Sequence, residues 1–73
     1  MTLCDLNIDQ TATVKGFTGD MNFQSRLVEM GILPRVRIRL IKFSPLGGPV
    51  EIKVRNYYVS IRKHDASNIL ITL

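Results

Sequence analysis

Arg26-Leu27-Val28-Glu29-Met30-Gly31-Ile32-Leu33-Pro34 is followed by Val36-x-Ile38-x-Leu40, then Ser44-Pro45-Leu46-Gly47-Gly48-Pro49-Val50-Glu51-Ile52, then Tyr57-x-Val59-Ser60-Ile61. The first segment reads as the end of a helix: Gly31 suits the left-handed residue that stops it, Ile32 closes over the last turn, and Pro34 prevents continuation. The rest reads as three strands of alternating polarity joined by punctuated turns. Val36, Ile38 and Leu40 alternate with Arg35, Arg37 and Arg39, so one face is core and the other is a row of guanidinium groups. Ile41 breaks the alternation, which predicts a bulge or bend near 41–43. Ser44 to Pro49 is a loop by composition. Val50, Ile52 and Val54 point inward, with Glu51, Lys53 and Arg55 outward. Asn56 is the turn residue that tolerates positive φ. Tyr57, Val59 and Ile61 then return on the core face, with Tyr58, Ser60 and Arg62 outside.

Working outward toward the N-terminus, Asp20 is placed to cap the helix, and Phe23, Leu27 and Met30 form its apolar stripe. Thr11 to Phe17 alternates as a half-buried strand with Ala12 and Val14 inward, and Gly16 marks a bulge or a close backbone approach. Leu3 and Leu6 suit one helical turn laid over an end of the core. Toward the C-terminus, Lys63 to Asn68 reads as a tight or 3₁₀ turn, and Ile69, Ile71 and Leu73 as a last strand. Five short strands with one helix inserted after the first cannot bury a core as a flat sheet at this length. The expected fold is therefore all-β: a small SH3-like barrel with one short inserted α-helix, forming a single domain over residues 1–73.

The bulk properties exclude several classes. One cysteine, Cys4, cannot form an internal disulfide, which argues against a secreted scaffold. The N-terminus lacks the pattern of a signal peptide, and no apolar run approaches the roughly 20 residues of a membrane span. A cytoplasmic chain without membrane insertion is expected. The net charge of +4 is uneven: residues 1–34 hold two basic and four acidic groups (−2), residues 35–73 eight basic and two acidic (+6). That asymmetry favours an acidic partner surface, or simply keeps a basic face solvated.

The ordered motifs resemble the FeoA family of bacterial ferrous-iron transport over essentially the whole chain. The similarity rests on Leu3-x-x-Leu6, Ala12-x-Val14, Gly19-Asp20, Arg26 to Ile32, Leu33-Pro34, Pro45 to Pro49 and Tyr57 to Arg62. Three departures stand out: Ile8-Asp9 where the family often has Pro-Gly, Arg35 where glycine often follows the proline, and Asn56 in place of a common glycine. The resemblance implies a cytoplasmic accessory or regulatory protein that acts by contact with the FeoB transporter at its GTPase region. It does not imply transport by this chain. Related barrels also end metal-dependent repressors, but a preceding DNA-binding helix pair, and with it that architecture, is not expected here.

Candidate partner-binding residues are Arg35, Arg37, Arg39, Leu46, Tyr58 and Arg62. Arginine offers a planar fork for carboxylate or phosphate. Leu46 sits in a Gly/Pro-rich loop, where it either packs back over the barrel mouth or meets a partner. No catalytic, cofactor-binding or metal-ligating set is expected: His64 and Cys4 lie far apart in sequence, and no C-x-x-C or H-x-x-x-H spacing occurs. The chain is read as a non-enzyme and, by default, a monomer, with an exposed strand edge as a route to weak self-association. Alternatives are a basic barrel that binds nucleic acid through Tyr58 and Arg62, although no nucleic acid is expected, and a metal-responsive interaction module using Cys4 and His64.

Overall fold

A computed structural model describes all 73 residues. A 3₁₀ turn at Leu3–Asp5 precedes β1 (Thr11–Phe17), α1 (Met21–Glu29), β2 (Arg37–Phe43), a second 3₁₀ turn (Pro45–Gly47), β3 (Val50–Val54), β4 (Tyr57–Ile61), α2 (Lys63–Ala66) and β5 (Ile69–Thr72). The strands form one antiparallel sheet in the order β4-β3-β2-β1-β5. It curls because β1 divides its pairing: Thr11 to Thr13 lie against β2, while Thr13 to Phe17 lie against β5. This is the expected all-β barrel with an inserted helix. Its two end strands are joined through α2. The outer edge of β5 is covered by the N-terminus, where Met1 O accepts from Ile71 N–H at 3.0 Å and Thr2 bridges Leu70.

The core holds 16 buried residues, all apolar, with contributions from every strand, α1, α2 and the N-terminal turn. Ala12 and Val14 of β1, Ile38 and Leu40 of β2, and Val50, Ile52 and Val54 of β3 are the inward positions that alternation assigns. Two bulges keep that assignment in register. One falls between Val14 and Gly16; the space around Gly16 is open, so its role is the bulge and not a close approach. The other falls between Leu40 and Lys42. From the Phe43–Val50 pair, an unbroken ladder would set Arg39 against Val54 and mix outward with inward residues. The extra residue restores Arg39 to Lys53 and Leu40 to Ile52, because a one-residue slip inverts the faces of a strand.

Helix α1 follows local rules at both ends. Asp20 Oδ1 accepts from Phe23 N–H at 2.8 Å, satisfying a donor of the first turn. At the other end Ile32 N–H donates to Leu27 O at 2.9 Å and Gly31 N–H to Val28 O at 3.0 Å, with Gly31 at φ 83°. These are the paired bonds of a Schellman stop, and Ile32 is fully buried beside the helix. Asp20→Ala is expected to cost about 1 kcal/mol by removing the cap. Urea unfolding would read this as a lower midpoint at an unchanged slope.

Several sequence expectations need correction. Arg35 is not on β2: Val36 N–H donates to Leu33 O at 3.1 Å, and Arg35 has φ 76°. Leu33 to Val36 is thus a turn with Pro34 at its second position and a left-handed third residue, the place where glycine is ordinarily preferred. The left-handed residue of the β3–β4 connection is Arg55 (φ 55°), one place before Asn56. Tyr57 is not a core residue. It is 40% exposed, and its hydroxyl donates to Met30 O at 2.6 Å across the end of α1. Residues 63–66 form a single α-helical turn, and Leu73 lies exposed beyond the end of β5.

Candidate interaction surface

The end of the outward β2–β3 face nearest the Leu33–Val36 turn is built from cations. Arg37 and Arg39 of β2 are exposed, as alternation requires when Ile38 and Leu40 are buried. Arg39 lies directly opposite Lys53, and Lys53 directly opposite Tyr58, whose ring centroid is 5.7 Å from the Lys53 ammonium. On the β1 side, Arg39 faces Thr11 and Arg37 faces Thr13. One residue beyond the Ile38–Val54 pair, Arg55 lines two adjoining shallow depressions together with Arg37. The first is completed by Leu33, Pro34, Arg35 and Val36, the second by Thr11, Ile38, Arg39 and Lys53.

The one acid on this face, Glu51, pairs with Lys42 at 3.9 Å toward the far end of the β2–β3 ladder, and the other ion pair, Arg26–Asp65 at 4.0 Å, lies between α1 and α2, so Arg35, Arg37, Arg39, Lys53 and Arg55 have no acidic partner. Like charges set directly across an antiparallel pair, as Arg39 and Lys53 are, disfavour the sheet by a few tenths of a kcal/mol, up to about 1. Non-glycine residues in the left-handed region, as Arg35 and Arg55 are, each cost about 1–2 kcal/mol.

The six sequence candidates therefore divide. Arg35, Arg37, Arg39 and, through Lys53, Tyr58 share one basic face. Arg62 lies at the far end of β4 with Gly47, Gly48, Pro49, Lys63 and His64 around another depression. Leu46 belongs to the adjoining 3₁₀ turn, with φ 59° and 104% exposure. It does not pack back over the barrel. Leu46→Ala is accordingly expected to leave the melting temperature unchanged, since no contact is lost. A fall of several degrees would show that the loop folds onto the barrel in solution. Lys53 and Arg55 were not among the sequence candidates, although they alternate outward on β3.

A groove between α1 and β4 is lined by Phe23, Leu27, Met30, Ser60, Ile61 and Arg62, and the Arg26–Asp65 pair spans it. That pair is largely exposed on the arginine side and contributes little to stability. Cys4 Sγ lies 3.7 Å from Lys63 O, and burial pushes its thiol pKa up, against a smaller lowering by the Lys63 ammonium and with a further rise from Asp5. The thiol is thereby held protonated, the weaker form for coordination or nucleophilic attack. No three His, Cys, Asp or Glu side chains converge on a common point.

The FeoA domain family model matches residues 1–73. The chain is 32% identical over 73 residues to an Fe(2+) transport protein A/Fe(2+) transporter FeoB fusion protein of Porphyromonas gingivalis. The match covers all of this chain and 9% of the fusion protein, so the chain spans about a tenth of that relative. Among solved structures, a FeoA-like protein from Clostridium acetobutylicum superposes with a TM-score of 0.88 at 26% identity, covering 100% of this chain and 85% of that one. Stenotrophomonas maltophilia FeoA complexed with zinc, described as an SH3 domain protein, superposes with a TM-score of 0.83 at 22% identity, covering 99% and 89%. At that identity the likeness speaks for the fold. No helix here is long and apolar enough to cross a membrane.

Proposed function

The chain belongs to the FeoA domain family, and from that membership we propose that it is an accessory protein of ferrous-iron transport that acts by contact with the cytoplasmic GTPase region of a FeoB-type transporter. The observation that carries this is the fusion in Porphyromonas gingivalis, where one polypeptide holds a relative of this chain and a FeoB transporter. Joining two modules makes a contact between them intramolecular and raises its effective concentration. The surface assigned to the contact is the basic face of Arg35, Arg37 and Arg39 with Tyr58, and Leu46 and Arg62 supply a second contact at the other end of β4. Arginine and tyrosine are favoured where interfaces gain most from burial.

The reading makes the chain an effector of a partner's activity and gives it no chemistry of its own. Arg37→Glu with Arg39→Glu should weaken binding to the transporter's GTPase region by about tenfold or more, through loss of attraction and gain of repulsion. Both side chains are exposed, so the melting temperature should hold or rise slightly as the Arg39–Lys53 repulsion is removed. Calorimetric titration of both forms at two salt concentrations checks it. Equal affinity for the two forms would remove the basic face from the contact.

A further inference from the structure

We propose that Arg35, Arg37 and Arg55, flanked by Arg39 and Lys53, form a binding site for a phosphate-bearing anion. The inference stands without the transporter contact, because it is carried by the local geometry. Arg37 and Arg55 line both depressions, Arg35 completes one, and Arg39 and Lys53 complete the other. No acidic side chain lies within ion-pair distance of any of the five.

Two features that oppose folding coincide at this place. Arg39 and Lys53 are set directly across the β2–β3 ladder. Arg35 and Arg55 occupy left-handed backbone positions, at φ 76° and 55°, where glycine would be free of strain. Both left-handed turns therefore carry a guanidinium where the backbone asks for glycine, and both guanidinium-bearing residues open onto the depressions Arg37 lines. Of the four non-glycine residues in the left-handed region, Asp9, Arg35, Leu46 and Arg55, the two arginines meet at this site, and strain accompanied there by unpaired charge is what a ligand site retains.

The charge count selects the ligand class. A single carboxylate brings one negative charge to five cations, whereas a phosphate monoester brings about 1.5 to 2 and a diphosphate more. Guanidinium forks also match phosphate oxygens two at a time. Leu33, Pro34 and Val36 form an apolar rim beside the cations, suited to the organic part of a phosphate ester. The same chemistry is offered by a soluble phosphate or diphosphate ester and by a phospholipid headgroup.

The test is an amide and arginine side-chain NMR titration of the full chain with inorganic pyrophosphate at low salt, against sodium chloride of matched ionic strength. Sedimentation with phosphatidylglycerol vesicles, against phosphatidylcholine vesicles, runs beside it. The expected result is saturable shifts at residues 33–37 and 53–55, weakened about tenfold or more in the Arg37→Glu/Arg55→Glu variant. Arg55→Gly separates binding from folding: it should raise the melting temperature while weakening pyrophosphate binding. Sedimentation with the anionic vesicles alone, lost in the double variant, would name the headgroup as the source. Pyrophosphate binding without sedimentation would name a soluble ester. No saturable shift together with no sedimentation, or binding unchanged in the double variant, overturns the site. A chain that binds the transporter's GTPase region but neither probe overturns this inference and leaves the proposed function intact.

Discussion

Gly31→Ala is expected to lower stability by about 2–3 kcal/mol, a large effect for the addition of one methyl group. Two costs combine. Gly31 sits at φ 83°, where a side chain costs about 1–2 kcal/mol. A Cβ built there would also fall on the Tyr57 hydroxyl, so the ring must swing away and its bond to Met30 O is lost, about 0.5–1.5 kcal/mol. The helix stop and the β4 tyrosine thus depend on the same missing side chain. Urea unfolding of Gly31→Ala, Tyr57→Phe and the double variant separates the terms. The double variant should lose less than the sum of the single losses, because Tyr57→Phe already removes both the bond and the obstructing oxygen. A loss below about 0.5 kcal/mol for Gly31→Ala would mean that the left-handed stop is not held in solution.

Leu40→Ala is expected to be more damaging still, costing about 3–4 kcal/mol within the range for buried leucines. Leu40 is fully buried at the middle of β2, opposite Ile52. Its backbone is equally committed: Leu40 O accepts from Asp9 N–H at 2.7 Å, and Leu40 N–H donates to Gln10 O at 3.0 Å. Chains of this size have total stabilities of roughly 4–11 kcal/mol, so this one change removes about a quarter or more of it. The contrast with Leu46→Ala is informative, since the same deletion at an exposed leucine should cost nothing. Denaturant unfolding that puts both variants within about 0.5 kcal/mol of each other would contradict the assigned core.

The sequence made the helix and its limits legible because caps are local. Asp20, Gly31 and Ile32 act within one turn of their own positions, and the observed bonds are those their residue types favour. The bulge at Leu40–Lys42 was legible for a related reason: Ile41 interrupts an alternation that is otherwise regular on both sides. Tyr57 was not, because its place is decided by a contact with Met30, 27 residues away. Period-two alternation assigns it inward, and only the position of α1 shows that the ring ends on a helix carbonyl.

The candidate surface was half legible. Arg37 and Arg39 followed from alternation. Arg35 was assigned to their strand because the pattern continues through it, although Pro34 before it is also the mark of a turn. Lys53 and Arg55 carried the same outward signal on β3. What alternation cannot supply is register. That Arg39 meets Lys53, and that Arg55 reaches the depressions beside Arg37, follows from the bulge that shifts the β2–β3 ladder by one residue.

The contact proposed for this FeoA domain is between its basic face and the transporter. A two-dimensional amide NMR titration of the labelled chain with the isolated GTPase region of its cognate FeoB transporter tests it most directly. Saturable shifts confined to residues 33–39, 53–58, the 44–49 loop and Arg62 are expected, diminishing as salt is raised. An absence of saturable shifts at low salt, or shifts confined to the α1–β4 groove, would contradict it.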